Sequence, residues 1–247
     1  MSEEHTICLV PTIKLSFLLE SRYIPQMTTT SAELKNLSIG LPKKMKYGTD
    51  KEMDTGICKE AIEIAFLSKD GFRGDGVADL RHHGGLDRAV CVYPHEHYSL
   101  WEQEFNNVLP RSSFGENITV TNMLEQDVHI GDIFRLGDAV IQITQGRIPC
   151  STITKRTDMP LLLKRMVETG YTGYLCRVLE EGAVRKDSTI TLVESHPKQV
   201  SILFANQVYY HMQKDIEAIN KVLDVQELAH DWRERLTKRV EQLTKQV

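Results

Sequence analysis

One cysteine lies on a short basic loop. The stretch Gln145-Gly146-Arg147-Ile148-Pro149-Cys150 follows a strand-like run, Ala139-Val140-Ile141-Gln142-Ile143-Thr144, with Arg147 three residues before the sulfur and Lys155 and Arg156 shortly after it. Positive charge near a cysteine favours the thiolate, the form that ligates metals or attacks electrophiles. Pro149 fixes its own φ and removes an N–H, so the residue after it can be held in one pose at a strand end. These features suit a presented sulfur. A small buried apolar residue, which most free cysteines are, fits the same local sequence.

The densest polar cluster is Asp79-Leu80-Arg81-His82-His83-Gly84-Gly85-Leu86-Asp87-Arg88. Its glycines let backbone approach an anion closely, and the forks of Arg81 and Arg88 suit phosphate. Adjacent histidines in an extended segment point to opposite sides, so His82 and His83 are poorly placed to bind one metal ion. The competing reading is a turn in which Asp and Arg side chains cap backbone groups. His95 and His97 diverge if Pro94 opens a helix, which favours a surface helix over a metal pair. Phe114-Gly115-Glu116-Asn117 precedes another strand; the Asn117 amide carries donors and acceptors that can orient a heterocycle, and the run is also good turn chemistry. No P-loop, Gly-rich dinucleotide fingerprint or nucleophile elbow occurs in the strand–turn–helix context each requires.

The elements that must position these residues are mostly short strands. Ala61–Leu67, Ala89–Tyr93, Ile118–Val120, Ile133–Leu136, Tyr174–Leu179 and Thr189–Val193 have strand character, with turn signals at Lys69-Asp70-Gly71 and Gly137-Asp138. Gly71–Gly76 reads as flexible and too polar for core. Tyr98, Trp101 and Phe105 make one apolar helical stripe after Pro94. Asp158 is expected as N-cap, and Gly170 as the stop, of a helix carrying Leu162, Leu163, Met166 and Val167. Together these predict an α+β domain built on a β-barrel with a few helices.

Beyond His196-Pro197-Lys198 the period becomes helical, giving three helices through Val200–Val208, Ile216–Leu223 and Leu228–Leu243. The expected divisions are an N-terminal extension over 1–38, partly outside the core fold, a barrel domain over 39–196 and a three-helix unit over 197–247. Residues 1–26 read as an extension ahead of a second start at Met27.

Charge and composition exclude some classes. Net charge is −4, and the tail holds eight Lys/Arg against seven Asp/Glu, so neither the whole chain nor its three-helix unit resembles a basic nucleic-acid reader. No apolar run reaches membrane-spanning length. Five cysteines, an odd number with no C-x-x-C pair, speak against a disulfide framework or structural zinc and for a reducing, cytoplasmic home.

Thr55-Gly56-Ile57-Cys58-Lys59, Asp79 through Tyr93, Phe114–Asn117, Gly131-Asp132 and Gln145 through Cys150, in that order, resemble the MOSC domain family. The likeness is to its YiiM-like subfamily, linked to 6-N-hydroxylaminopurine resistance, whose three-helix extension is matched by the tail. The resemblance implies a MOSC-type β-barrel binding the pyranopterin molybdenum cofactor, with Cys150 as molybdenum ligand and catalytic residue. Lys59, Arg81, Arg88 and Arg147 are then expected to hold the cofactor's phosphate and pterin, His83 to relay a proton or orient the pterin, and Asn117 to supply a polar contact. The implied reaction is reduction of small N-hydroxylated compounds by electrons from a separate redox protein, a flavoprotein reductase, the chain itself being a monomer or homodimer. A cofactor carrier or store, or a persulfide-bearing sulfur carrier, are the alternatives.

Overall fold

The computed structural model of the chain describes residues 31–79 and 84–245. The extension over residues 1–26, Arg81 and His83 lie outside the described residues.

The strands are β1 (Glu33–Ile39), β2 (Lys43–Tyr47), β3 (Lys51–Thr55), β4 (Glu60–Ala61), β5 (Ile64–Ser68), β6 (Gly71–Phe72), β7 (Val90–Pro94), β8 (Ile118–Thr121), β9 (Ile133–Leu136), β10 (Ala139–Gly146), β11 (Tyr174–Glu180), β12 (Gly182–Arg185) and β13 (Ile190–Glu194). The helices are α1 (Glu96–Phe105), α2 (Ser151–Thr157), α3 (Leu162–Thr169), α4 (Ile202–Tyr210), α5 (Ile216–Leu223) and α6 (His230–Thr244). Eight strands form one sheet in the order β13-β9-β10-β11-β7-β8-β1-β4; β12-β5-β6 and β2-β3 form two smaller ones. All pairings are antiparallel except β7 with β8, which α1 joins by a crossover, as a parallel pair requires. A bridge between Glu33 and Thr189 brings β1 to the start of β13, and the large sheet curls into a half-barrel. The barrel-like α+β architecture expected from the sequence is the one found.

β10 explains much of the rest. Every one of its residues is buried, as in a strand covered on both faces. Ala139, Ile141 and Ile143 join the barrel core with Leu37, Val92, Ile118 and Val178. On the other face Thr144 accepts from Ala229 N–H at 3.1 Å through its carbonyl, and Gln142 accepts from Arg177 at 3.3 Å. The hydrophobic cluster continues into Ile202, Val208, Ile219, Val222, Trp232 and Leu236 of the three C-terminal helices, so helices and sheet share one core. A second cluster lies under α1, where Tyr93 stacks on Phe114 (centroids 3.8 Å apart) beside Trp101, Met159 and Leu162.

Three local expectations need correction. Asp158 does not start a helix: with φ 53 it closes α2, and α3 begins at Leu162. α2 itself, opening directly after Cys150, escapes a reading based on apolar periodicity because only Ile153 and Thr157 of its seven residues are buried. Gly71–Gly76 is not loose linker; Gly71-Phe72 pairs with β5 and Phe72 is core. The strand β1 lies ahead of the expected boundary at residue 39 and pairs along β8.

Candidate functional site

β10 ends at Gly146, paired with Tyr174 of β11, and the next N–H, of Arg147, bonds Gly173 O at 3.0 Å. The chain then leaves the sheet, and Cys150 becomes the N-cap residue of α2, half-buried and free. Two residues of α4 fix this exit. Tyr210 O–H donates to the Arg147 carbonyl at 3.2 Å. Asn206, fully buried, lies so close to Gly146 that a Cβ there would meet its Oδ1 at 1.8 Å. Glycine is therefore required at 146 by packing against the helical unit.

Arg147 is the dominant charge here. Burial works against its positive charge, yet the Cys91 and Cys150 sulfurs and the Glu116 carboxylate hold the guanidinium above its ordinary value. Its Nη1 is enclosed and has no hydrogen-bond partner among the described residues. Burial also pushes the neighbouring Cys91 thiol up, with Arg147 pulling the other way. Gln145 is buried with its Nε2 on Gly146 O at 3.1 Å, and its Oε1 has no partner among the described residues.

A second polar knot supports the opposite wall. Lys59, 8% exposed, is ion-paired with Asp75. Asp75 also accepts from Gly40 N–H at 2.8 Å and from Asn117 Nδ2 at 2.8 Å, while Asn117 Oδ1 accepts from Cys91 N–H at 3.0 Å. The amide of Asn117 is thus engaged in joining β7 to the 71–76 loop. Where that loop passes residue 56, a Cβ on Gly56 would sit 2.3 Å from the Gly76 carbonyl, so two backbones meet there with no room for a side chain.

The third wall comes from the residues before β7 and from α6. Asp87 accepts from Arg177 Nε at 3.0 Å and from the first N–H of α6, on His230, at 2.9 Å, so it caps a helix far away in sequence. Arg88 approaches Asp231 of α6 at 3.4 Å.

These walls enclose one cavity of about 900 Å³, large for a small-molecule site. Lys59, Arg88, Asn117, Arg147 and Cys150 all line it, brought together from separate stretches of chain. Lys155 does not; it lies over the Tyr47 ring at 4.9 Å. Asp75, Cys91, Gln145, Asp231 and Arg235 also line the cavity and were not among the expected site residues. The Gly-Asp-Gly spacing around Asp75 was a usable signal for a tight structural loop; the α6 pair had none, because its place depends on docking.

The MOSC domain model matches residues 79–191, and the YiiM-like 3-alpha helix domain model matches residues 200–243. The chain is 41% identical over 209 residues to the uncharacterized protein YflK of Bacillus subtilis, covering 84% of this chain and 94% of that protein. The crystal structure of YiiM from Geobacillus stearothermophilus superposes with a TM-score of 0.71 at 30% identity, covering 85% of this chain and 99% of that one. The chain belongs to the YiiM-like MOSC family.

A protein from Gibberella moniliformis named as a reductase is 37% identical over 147 residues, which is 58% of this chain and only 26% of that protein. MOSC domains are a molybdenum-cofactor-binding domain type. The residues present fit such a group. Among the described residues, the enclosed Nη1 of Arg147 lacks an acceptor, as a site built for an anionic ligand would leave it, and a soft sulfur lines the same cavity.

Proposed function

We propose that this YiiM-like MOSC protein binds the pyranopterin molybdenum cofactor in the cavity beside Cys150 and reduces small N-hydroxylated compounds, N-hydroxylated bases such as 6-N-hydroxylaminopurine among them, to amines. The observation that carries this reading is the convergence of Cys150 and the partly unpartnered Arg147 with Lys59 and Arg88 around one cavity.

Cys150 would hold the metal through its thiolate, and Arg147 and Arg88, with Arg81 of the same sequence cluster, would hold the phosphate and pterin. Lys59 and Asn117 act differently: both are tied to Asp75, and they brace the wall against which the ligand rests. His83 would relay a proton or orient the pterin. The overall change is R–NHOH plus two electrons and two protons to R–NH₂ and water. When bound, the cofactor supplies the two-electron cycle and the oxygen acceptor that side chains lack. Electrons come from a separate redox protein, a flavoprotein reductase, since the chain has no flavin or nicotinamide fingerprint.

The test uses the full chain made in a host that synthesises the cofactor. Elemental analysis should find molybdenum in the wild type and none in Cys150→Ser, with the far-ultraviolet spectrum unchanged. Loaded protein with an artificial reductant should convert 6-N-hydroxylaminopurine to adenine. Full molybdenum content in Cys150→Ser would sink the assignment of the ligand. Molybdenum without turnover would leave a carrier, and cyanide-released thiocyanate from metal-free protein would favour a persulfide sulfur carrier.

A further inference from the structure

The floor of the cavity is a row of side chains on one face of the large sheet. Cys91 of β7 lies directly opposite Leu175 of β11, and Leu175 directly opposite Gln145 of β10. Partners across a ladder share a face, and all three residues line the cavity. Alternation agrees: Val90 and Val92 beside Cys91, and Tyr174 and Cys176 beside Leu175, turn the other way into the barrel core. Two strand spacings, about 10 Å, separate Cys91 from Gln145, an uncharged floor running from a thiol over an alkyl chain to an amide. Asn117 pins the Cys91 end, accepting from its N–H at 3.0 Å through Oδ1 and donating its own backbone N–H to the Cys91 carbonyl at 2.8 Å. At the other end Gln145 Nε2 donates to Gly146 O at 3.1 Å, which orients the amide, because reversing it would set one carbonyl oxygen against another. The open end is therefore Oε1, on a residue only 1% exposed, with no donor among the described residues. A buried acceptor left open costs stability unless a ligand supplies the donor. A carbonyl oxygen has nothing to offer an anion, so Gln145 calls for a different chemical group from the one that suits Arg147.

We propose that this row is a base-recognition subsite: a planar heteroaromatic ring lies on Cys91 and Leu175, and its exocyclic N–H donates to Gln145 Oε1. This rests on reading the cavity as the reductase site, and it names the residues that select the substrate there. A polarisable sulfur beside an apolar side chain suits the face of a ring. The acceptor suits the group that substrate and product have in common, since R–NHOH and R–NH₂ both keep an N–H on the nitrogen that reacts.

The experiment is iodoacetamide labelling of the full-length protein, cofactor-free and molybdenum-loaded, with the modified peptides quantified by mass spectrometry. 9-Methyladenine should slow labelling of Cys91 saturably in both forms and leave Cys58, half-buried and not a lining residue of the cavity, at its own rate. 9-Methylpurine, which lacks the exocyclic N–H, should need about tenfold more for the same protection, the worth of one hydrogen bond to an otherwise unpaired buried acceptor. Gln145→Met should erase that preference and keep the molybdenum content of the wild type. Should Gln145→Met fail to fold, the comparison of the two bases on the wild type still decides. No protection of Cys91, equal protection by both bases, or slowing of Cys58 along with Cys91 would overturn the subsite. Loading that by itself shields Cys91, or loss of molybdenum from Gln145→Met, would give the floor to the cofactor and overturn the assignment to substrate. Absence of molybdenum from the wild type would instead overturn the proposed function and leave base protection of the cofactor-free protein readable.

Discussion

Gly146→Ala should be among the most damaging single-methyl additions in this fold, and its cost can be worked from contacts. Gly146 does not have a positive φ, so alanine is acceptable to the backbone; the obstacle is Asn206, whose Oδ1 and Cγ would lie 1.8 and 2.8 Å from the new Cβ. Asn206 must turn away, losing the bonds its Nδ2 makes to Gly170 O at 2.7 Å and Thr172 Oγ1 at 3.0 Å. Two buried hydrogen bonds at about 1 kcal/mol each, plus about 1–3 kcal/mol of overpacking, less about 0.5–1 kcal/mol regained from unfolded-chain entropy, leaves about 2–4 kcal/mol of destabilisation. Denaturant unfolding followed by tryptophan fluorescence reads this directly, since Trp101 and Trp232 are both buried. Asn206→Ala should itself cost about 2 kcal/mol through the same hydrogen bonds, but it also removes the obstacle. The double variant should therefore be scarcely worse than Asn206→Ala alone. Additive costs, or a Gly146→Ala variant within about 0.5 kcal/mol of wild type, the range of an innocuous surface change, would refute the claim that α4 is seated against the strand carrying the cysteine loop.

Asp75→Ala would strand the buried Lys59 ammonium and two N–H donors, so it should destabilise by about 3–5 kcal/mol in the same unfolding assay; a loss below about 1 kcal/mol, the scale of a surface pair, would mean Lys59 is solvated. Cys91, its thiol pushed up by burial, should alkylate with iodoacetamide at a rate still climbing past pH 9.0 in a Cys150→Ser background, and a plateau there would contradict the enclosure. The same shift makes stability fall above pH 9.0, where the unfolded chain releases this proton and the folded chain retains it. Asp87→Ala removes both the Arg177 pair and the acceptor for the first N–H of α6, so amide exchange should accelerate in residues 230–233 while β10 stays protected; uniform protection across both would show that Asp87 does not dock the helix.

The fold was legible where one periodicity dominates over several residues. β7, β8, β9 and β11 and the three C-terminal helices announce themselves through alternating or helical apolar patterns. α2 was not legible because its seven residues carry threonines and basic groups, and its helical state comes from the exit of the chain at Cys150. Asp158 shows how composition misleads at boundaries: an aspartate before Met-Pro resembles an N-cap, yet the left-handed φ of 53 that ends one helix can be adopted by aspartate as well. In the candidate site, the motif residues Lys59, Arg88, Asn117, Arg147 and Cys150 could be picked out from the sequence, and they line one cavity. Their partners could not be read there. Whether a lysine or an asparagine faces a ligand or an internal partner depends on a carboxylate such as Asp75, sixteen positions from one and forty-two from the other.

That distinction reorders the expected cations. Lys59 is neutralised inside the wall, and Arg88 shares Asp231 with Arg235. Among the described residues, Arg147 alone combines an enclosed, unpartnered N–H with electrostatic interaction with the Cys91 and Cys150 sulfurs, so the cysteine loop carries a buried donor suited to an anionic ligand. The loop in turn is held by Asn206 and Tyr210 of α4, and the cavity is closed by Asp231 and Arg235 of α6. A barrel of this sequence without its three helices would expose the buried polar face of β10 and lose one wall of the cavity. The helical extension is therefore part of the site's construction, and ligand affinity should follow how firmly it is docked.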